Sequence, residues 1–185
     1  MKILNVNVLL DPVTGGGTAE RTVQMSRFLG KAGVACTVLT TDLGLTAERL
    51  RFLEGIRVVA LPCIVKRFYI PFFSLGALSK LIHDTDVIHL MGHWTILNAL
   101  VYWMARRLNK AYVVCPAGSL PVYGRSKLIK RIYNWVVGQK IINNANGHIA
   151  IAPEEIHHFV EYGVTNATIS VIPNGISPED FAAQD

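Results

Sequence analysis

From one end to the other, the chain alternates short apolar runs with segments of helical periodicity, and this alternation leaves few folds open to it. Runs at 2–10, 34–41, 56–61, 87–91, 111–115, 147–151 and 168–172 read as strands. Helical spacing fills the intervals at about 18–32, 72–83, 94–108, 125–145 and 153–162, and about 43–55 suits either a short helix or a loop. Parallel pairing needs a crossover, and a helix is the simplest one. The expectation is therefore an α/β fold: a Rossmann-like, doubly wound, mostly parallel sheet with helices on both faces. The composition fits, because a sheet buried on both faces needs the 51% hydrophobic and 17% charged residues found here. Thr18 is expected to cap the first helix and Gly33 to end it.

The 185 residues suffice for one domain with a full core, or for a piece of something larger. No apolar run is long enough to span a membrane, and the N-terminus passes from an apolar run into glycines without a cleavage pattern, so the expected location is cytoplasmic. Cys36, Cys63 and Cys115 are odd in number and far apart, which predicts buried thiols and neither a disulfide framework nor a metal site. The net charge of +5 is unevenly placed: no acidic residue lies between Asp86 and Glu154, where Arg106, Arg107, Lys110, Arg125, Lys127, Lys130, Arg131 and Lys140 all fall. Acidic or phosphorylated partners suit that stretch.

Ligands of an open parallel sheet gather beyond the carboxyl ends of its strands, so the residues just after each strand carry the functional reading. Gly15, Gly16 and Gly17 follow the first strand and lead into a helix, an arrangement that turns backbone N–H groups toward an anion. Glu20 stands where a dinucleotide fingerprint would have its third glycine, although Asp42 lies at a plausible ribose distance. After the fourth run come His89, His93 and Trp94, ring groups suited to hydrogen bonding and stacking on a sugar. With His83 they lack the spacing of a metal site, and no metal is expected. Pro116, Gly118 and Ser119 make a loop suited to an acceptor or to plain connection. The segment RSKLIKRIYNWVVGQK carries Lys127, Lys130, Arg131 and Trp135 beside apolar residues at helical spacing. It reads as an interfacial membrane helix or as a surface helix packed on the sheet. Its aromatics do not interleave with the cations as nucleic-acid stacking would require, and no nucleic-acid partner is expected.

Several of these residues together resemble the N-terminal domains of the group-one, family-four glycosyltransferases of the GT-B arrangement. The matching parts are Gly15–Gly17, the run Leu29-Gly30-Lys31-Ala32-Gly33-Val34, Asp86-Val87-Ile88-His89 with Gly92, the Pro116-Ala117-Gly118 loop, and Val171-Ile172-Pro173-Asn174-Gly175-Ile176 with Phe181. The resemblance implies an acceptor-binding Rossmann-like domain over 1–172. Pro173, Asn174 and Gly175 then open an interdomain linker over 173–185, leading to a donor-binding domain that lies outside this sequence. It implies transfer of a sugar from a nucleotide sugar to an acceptor hydroxyl on a cell-envelope glycan or lipid-linked sugar. The nucleotide sugar is a substrate held mainly by the other half, with no cofactor and no obligatory metal.

The roles implied are Gly15, Gly16 and Gly17 facing the donor phosphates, His89 and His93 in the catalytic or sugar-contacting position, and Trp94, Gly118, Ser119 and Glu155 toward the acceptor. Members often act on lipid-linked sugars, which suits peripheral contact with the inner membrane face through Lys127, Lys130, Arg131 and Trp135. Two positions depart from the family pattern: Met91 stands where a second His is frequent, and Ala117 where a His or Arg precedes the loop glycine. Two alternatives remain at this level: a non-catalytic membrane-associated subunit that recruits a separate donor-binding chain, and a nicotinamide-binding Rossmann protein.

Overall fold

The structure is a computed structural model, and it describes residues 1–122, 124 and 126–175. Ile176 and Phe181 of the proposed linker, and Arg125 of the basic stretch, lie outside the described residues.

The elements follow the alternation of the sequence. They are β1 (Lys2–Val6), α1 (Gly16–Lys31), β2 (Ala35–Thr41), α2 (Ala47–Arg51), β3 (Arg57–Leu61), β4 (Cys63–Val65), β5 (Ile70–Pro71), α3 (Leu75–His83), β6 (Val87–Met91) and α4 (Ile96–Arg107). After them come β7 (Ala111–Cys115), α5 (Lys127–Tyr133), α6 (Gln139–Asn143), β8 (Gly147–Ala150), α7 (Ile156–Glu161) and β9 (Ile169–Val171). Seven strands form one sheet in the order β3-β2-β1-β6-β7-β8-β9, every pairing parallel. The chain winds outward one way from β1 and the other way from β6, so the direction of winding reverses between these two central strands. Leu4, Val6, Ile88, Leu90, Val114 and Tyr112 of the central strands are fully buried and anchor the main core.

The layer between α1 and the sheet is polar. Asn5 Nδ2 donates to Ser26 Oγ at 2.8 Å, and Asn7 Nδ2 donates to Thr22 Oγ1 at 2.9 Å and to the Thr18 carbonyl at 3.0 Å. These bonds hold α1 at a fixed rotation, which aims its glycine-rich start across the sheet's end.

Several expectations need correction. The first strand ends at Val6 instead of residue 10; the following residues leave the β6 ladder as Asn7 bonds back to α1, although Asn7 N–H still donates to the Leu39 carbonyl at 3.0 Å. Thr18 is not the cap of α1, because the helix starts at Gly16 without a side-chain cap and the Thr18 hydroxyl donates to the Gly15 carbonyl at 2.8 Å. Helix α3 begins at Leu75, capped by Ser74, because the preceding residues pair as an antiparallel β4–β5 hairpin. The long helix expected at 125–145 is α5, a π-helical turn at Asn134–Gly138, then α6. Cys63 is half-buried, whereas Cys36 and Cys115 are buried.

The π turn has a local cause. A methyl on Gly138 would stand 2.7 Å from Asn134 Oδ1 and 3.0 Å from His93 Nε2, so the helix approaches the β6 loop as closely as a glycine permits. The extra residue of a π turn shifts the face of the helix beyond it. Tyr133, Val137, Ile141 and Ile142 pack inward, while Leu128, Ile129, Ile132, Trp135 and Val136 stay exposed. The surface-helix reading, in which that second set packs on the sheet, is thereby overturned.

Candidate functional site

Because β1 and β6 pair directly and in parallel, the loops after them leave the same end of the sheet at the point of reversal. The three glycines after β1 and the Gly92–His93–Trp94 segment after β6 are therefore neighbours on one rim. The loop after β7, with Gly118 and Ser119, continues that rim.

The glycines have distinct physical roles. A methyl on Gly15 would lie 2.7 Å from both Ala19 Cβ and the Asp11 carbonyl oxygen, so Gly15 is demanded by packing. Gly16 has φ +54° and is demanded by its backbone conformation. A methyl on Gly17 would meet nothing within 4 Å. Ahead of them Asp11 braces the turn: its carboxylate accepts from the N–H groups of Val13 and Thr14 and from the Thr14 hydroxyl, which hold its pKa down. Among the described residues no side chain caps α1, which leaves the N–H groups of its first turn open to an anion.

His89 and His93 are both buried, in different surroundings. His89 pairs in register with Asn5 and faces α1 beside the Arg21 guanidinium; burial first, then that charge, push its pKa down to about 4. His93 sits among Trp94, Tyr133 and Tyr162, edge-on to all three at 4.4 to 5.8 Å, with Nε2 3.5 Å from Asn134 Oδ1. Burial pushes it down to about 4 as well, and the Asn134 contact opposes that only in part. Both rings are neutral at pH 7. Among the described residues, His89 Nε2 and His93 Nδ1 have no hydrogen-bond partner.

The pH dependence takes its sign from these shifts. The folded pKa values lie below the ordinary imidazole value, so stability is complete above about pH 6.5. It is lost as pH falls toward 4, because the unfolded chain takes up protons that the folded chain refuses. The loss approaches about 3 kcal/mol per imidazole. Urea unfolding at pH 7 and 4.5 will show a smaller acid loss in His89→Gln and His93→Gln than in the parent; equal losses would contradict these assignments.

The remaining side chains form the walls. Trp94 Nε1–H donates to the Ser119 carbonyl and ties the β6 loop to the β7 loop. The Ser119 hydroxyl donates to the Pro116 carbonyl at 2.6 Å, and Ala117 and Gly118 both have positive φ, at 49° and 79°. Glu155 is buried and accepts from Ile151 N–H at 2.9 Å, and its other oxygen approaches Gly118. Lys130 stands over the Trp94 ring at 5.5 Å, which joins α5 to the rim; Lys127, Arg131 and Trp135 are exposed on the helix surface. The Asp42 carboxylate accepts from Cys63 N–H at 2.8 Å, and Glu20 pairs with Arg49 at 2.8 Å.

Arg21 was not singled out in the sequence. It is buried, and its Nη1 donates to the Pro173 carbonyl at 3.1 Å and to Asn174 Oδ1 at 2.8 Å, so it pins the Pro-Asn turn to α1. No carboxylate among the described residues pairs with it. Its position one helical turn after the three glycines was the available signal.

The family model for Glycosyltransferase Family 4 matches residues 15–180, from the glycine loop to beyond the Pro-Asn turn. The chain belongs to this family. No curated protein matches this glycosyltransferase domain in sequence. Among solved structures, Anabaena Alr3699/HepE in complex with UDP-glucose is similar at 18% identity and a TM-score of 0.66, over 98% of this chain and 48% of that one. A glycosyltransferase from Rickettsia africae ESF-5 is similar at 17% identity and a TM-score of 0.57, over 98% and 47%. A UDP-GlcNAc 2-epimerase from Neisseria meningitidis bound to UDP-GlcNAc is similar at 16% identity and a TM-score of 0.62, over 94% and 46%. The glycosyltransferase domain thus has the fold of one half of a GT-B arrangement and spans about half the length of these proteins. No helix among its described residues is long and apolar enough to cross a membrane.

Proposed function

We propose that this chain is the acceptor-side half of a two-domain enzyme that transfers a sugar from a nucleotide sugar to an acceptor hydroxyl. The observation that carries the reading is the meeting of the glycine loop and the β6 loop at the reversal point of the sheet, in a family-four chain. In this reading residues 1–172 form the acceptor domain, and Pro173, Asn174 and Gly175, held by Arg21, begin the linker. Gly15, Gly16 and Gly17 face the phosphates of a donor carried by the other half, where N–H groups and helix dipole favour negative charge.

His93 acts as a neutral group. Its depressed pKa keeps it uncharged, and its ring, enclosed by Trp94, Tyr133 and Tyr162, holds the β6 loop in place beneath the acceptor. His89 lies deeper, under α1, and shapes the floor. Trp94 stacks on the acceptor sugar, and the Gly118–Ser119 loop, braced by Glu155, closes its side. The donor is a substrate and no cofactor is required. The exposed apolar face and cations of α5 favour a lipid-linked or envelope acceptor reached from the cytoplasmic side of a membrane.

Calorimetric titration of residues 1–185 with UDP-sugars tests the division of labour. Only weak binding and no transfer are expected; tight donor binding or transfer by this piece alone would refute it. The epimerase among the similar structures motivates a second reading. Incubating the full-length protein with UDP-GlcNAc and no acceptor separates the two, since accumulation of an epimerised nucleotide sugar would replace transfer with epimerisation.

A further inference from the structure

The β4–β5 hairpin is absorbed by none of the roles above. Tyr69 and Phe73 pack against the core and anchor it, and Phe72 N–H donates to the Pro62 carbonyl at 2.7 Å. Its outer side is apolar: Ile64 and Phe72 are 62% and 64% exposed, with Phe68 and Leu75 beside them. Lys66 and Arg67 stand at the tip, Arg67 over the Phe68 ring at 5.6 Å. No acidic residue occurs between Glu54 and Asp84, so the hairpin, like α5, lies in an acid-free stretch. A folded chain that keeps Ile64, Phe68, Phe72 and Leu75 in water along one hairpin and the start of the helix after it has a surface that calls for a partner.

The hairpin and α5 occupy the same corner. In a sheet wound by right-handed crossovers, the helices return antiparallel to the strands, so α3 and α4 both start at the carboxyl rim. The hairpin immediately precedes α3, and β5 packs against α4. At the start of α4, the Tyr133 hydroxyl of α5 donates to the carbonyls of His93 and Thr95 at 2.9 and 3.0 Å. Ile96, in the first turn of α4, is exposed as well.

We propose that the hairpin is a second lipid-contacting element. Together with the Leu128–Val136 face it seats the acceptor rim on an anionic bilayer, so that a lipid-borne hydroxyl reaches the β6 loop without leaving the interface. Charge complementarity selects this occupant: aromatic and aliphatic tips flanked by Lys and Arg, without carboxylates, match the boundary between headgroups and acyl chains. A single contact would leave the domain free to pivot, whereas two separate contacts fix its tilt. The inference rests on the membrane reading of α5 given above.

Cosedimentation of the full-length protein with phosphatidylglycerol–phosphatidylcholine vesicles, compared with phosphatidylcholine alone, tests it. Three variants enter the comparison: a hairpin variant (Ile64→Ser with Phe72→Ser), a tip variant (Lys66→Ser with Arg67→Ser) and a helix variant (Leu128→Ser with Trp135→Ser). All six side chains are exposed, and an unchanged thermal midpoint will show that the fold is intact. The expected result is at least a tenfold loss of anionic-vesicle binding in each variant. If the helix variant alone loses binding, the hairpin proposal fails and the membrane reading stands. If the parent binds no vesicles, both fail. A dimer in light scattering that the hairpin variant dissolves would give the hairpin to a second copy of the chain and overturn the proposal.

Discussion

Replacing Gly15 by Ala will destabilise the domain by about 2 kcal/mol or more, a cost typical of forcing atoms into a packed site. The added methyl would stand 2.7 Å from the Asp11 carbonyl oxygen and from Ala19 Cβ, and 3.2 Å from the Leu9 carbonyl oxygen. Two of these three neighbours are backbone, which cannot rotate away as the end of a side chain would. The turn must move instead, and with it the Gly15 N–H bond to the Asp11 carbonyl at 2.8 Å. Thermal unfolding will show the loss as a lower midpoint. A midpoint unchanged within a degree would mean that the turn does not pack as described.

Gly17 is expected to behave in the opposite way. Nothing lies within 4 Å of a methyl there, and its φ is not positive, so Gly17→Val fits the domain with little change in stability. The new side chain instead fills the space in front of the α1 N-terminus, where the donor phosphates are proposed to sit. A displacement of about 1 Å in a reacting group can cost about a hundredfold in rate. Transfer should fall by at least that factor while the fold remains intact. Glycines two residues apart then separate the two demands on the loop: Gly15 serves its own packing, and Gly17 leaves room for something else.

Much of the sheet was readable in the sequence because each buried parallel strand is a short apolar run and each crossover a helical one. The rim was readable for the same reason, since the last residue of each parallel strand marks where its loop emerges at the carboxyl end of the sheet. The failures have particular physical causes. Residues 62–71 fell between a strand and a helix without a signal of their own, but Cys63 and Val65 pair with Pro71 and Ile70 into a hairpin that leaves Ile64 and Phe68 outside the core. The helix at 125–145 kept its apolar periodicity, yet a different set, Tyr133, Val137, Ile141 and Ile142, packs inward, and a π turn fitted around Gly138 and His93 interrupts the helix. Thr18 looked like a cap because its residue type caps helices, while the glycines before it had already started the helix.

Arg21 shows the limit of local reading. Its partners, Pro173 and Asn174, are far away in sequence, and only the fold brings the Pro-Asn turn to α1. His89 shows the converse. The motif marks it as notable, but no pattern in the sequence reveals that it lies beneath a helix beside a guanidinium and not in an open pocket.

In the proposed function, the rim shared by β1 and β6 forms one wall of the cleft where sugar is transferred. The most direct test of that placement is steady-state transfer by the full-length enzyme carrying Gly17→Val, read beside its thermal midpoint. At least a hundredfold fall in kcat/KM is expected, with the midpoint nearly unchanged. Full activity with a valine in front of the helix would contradict it.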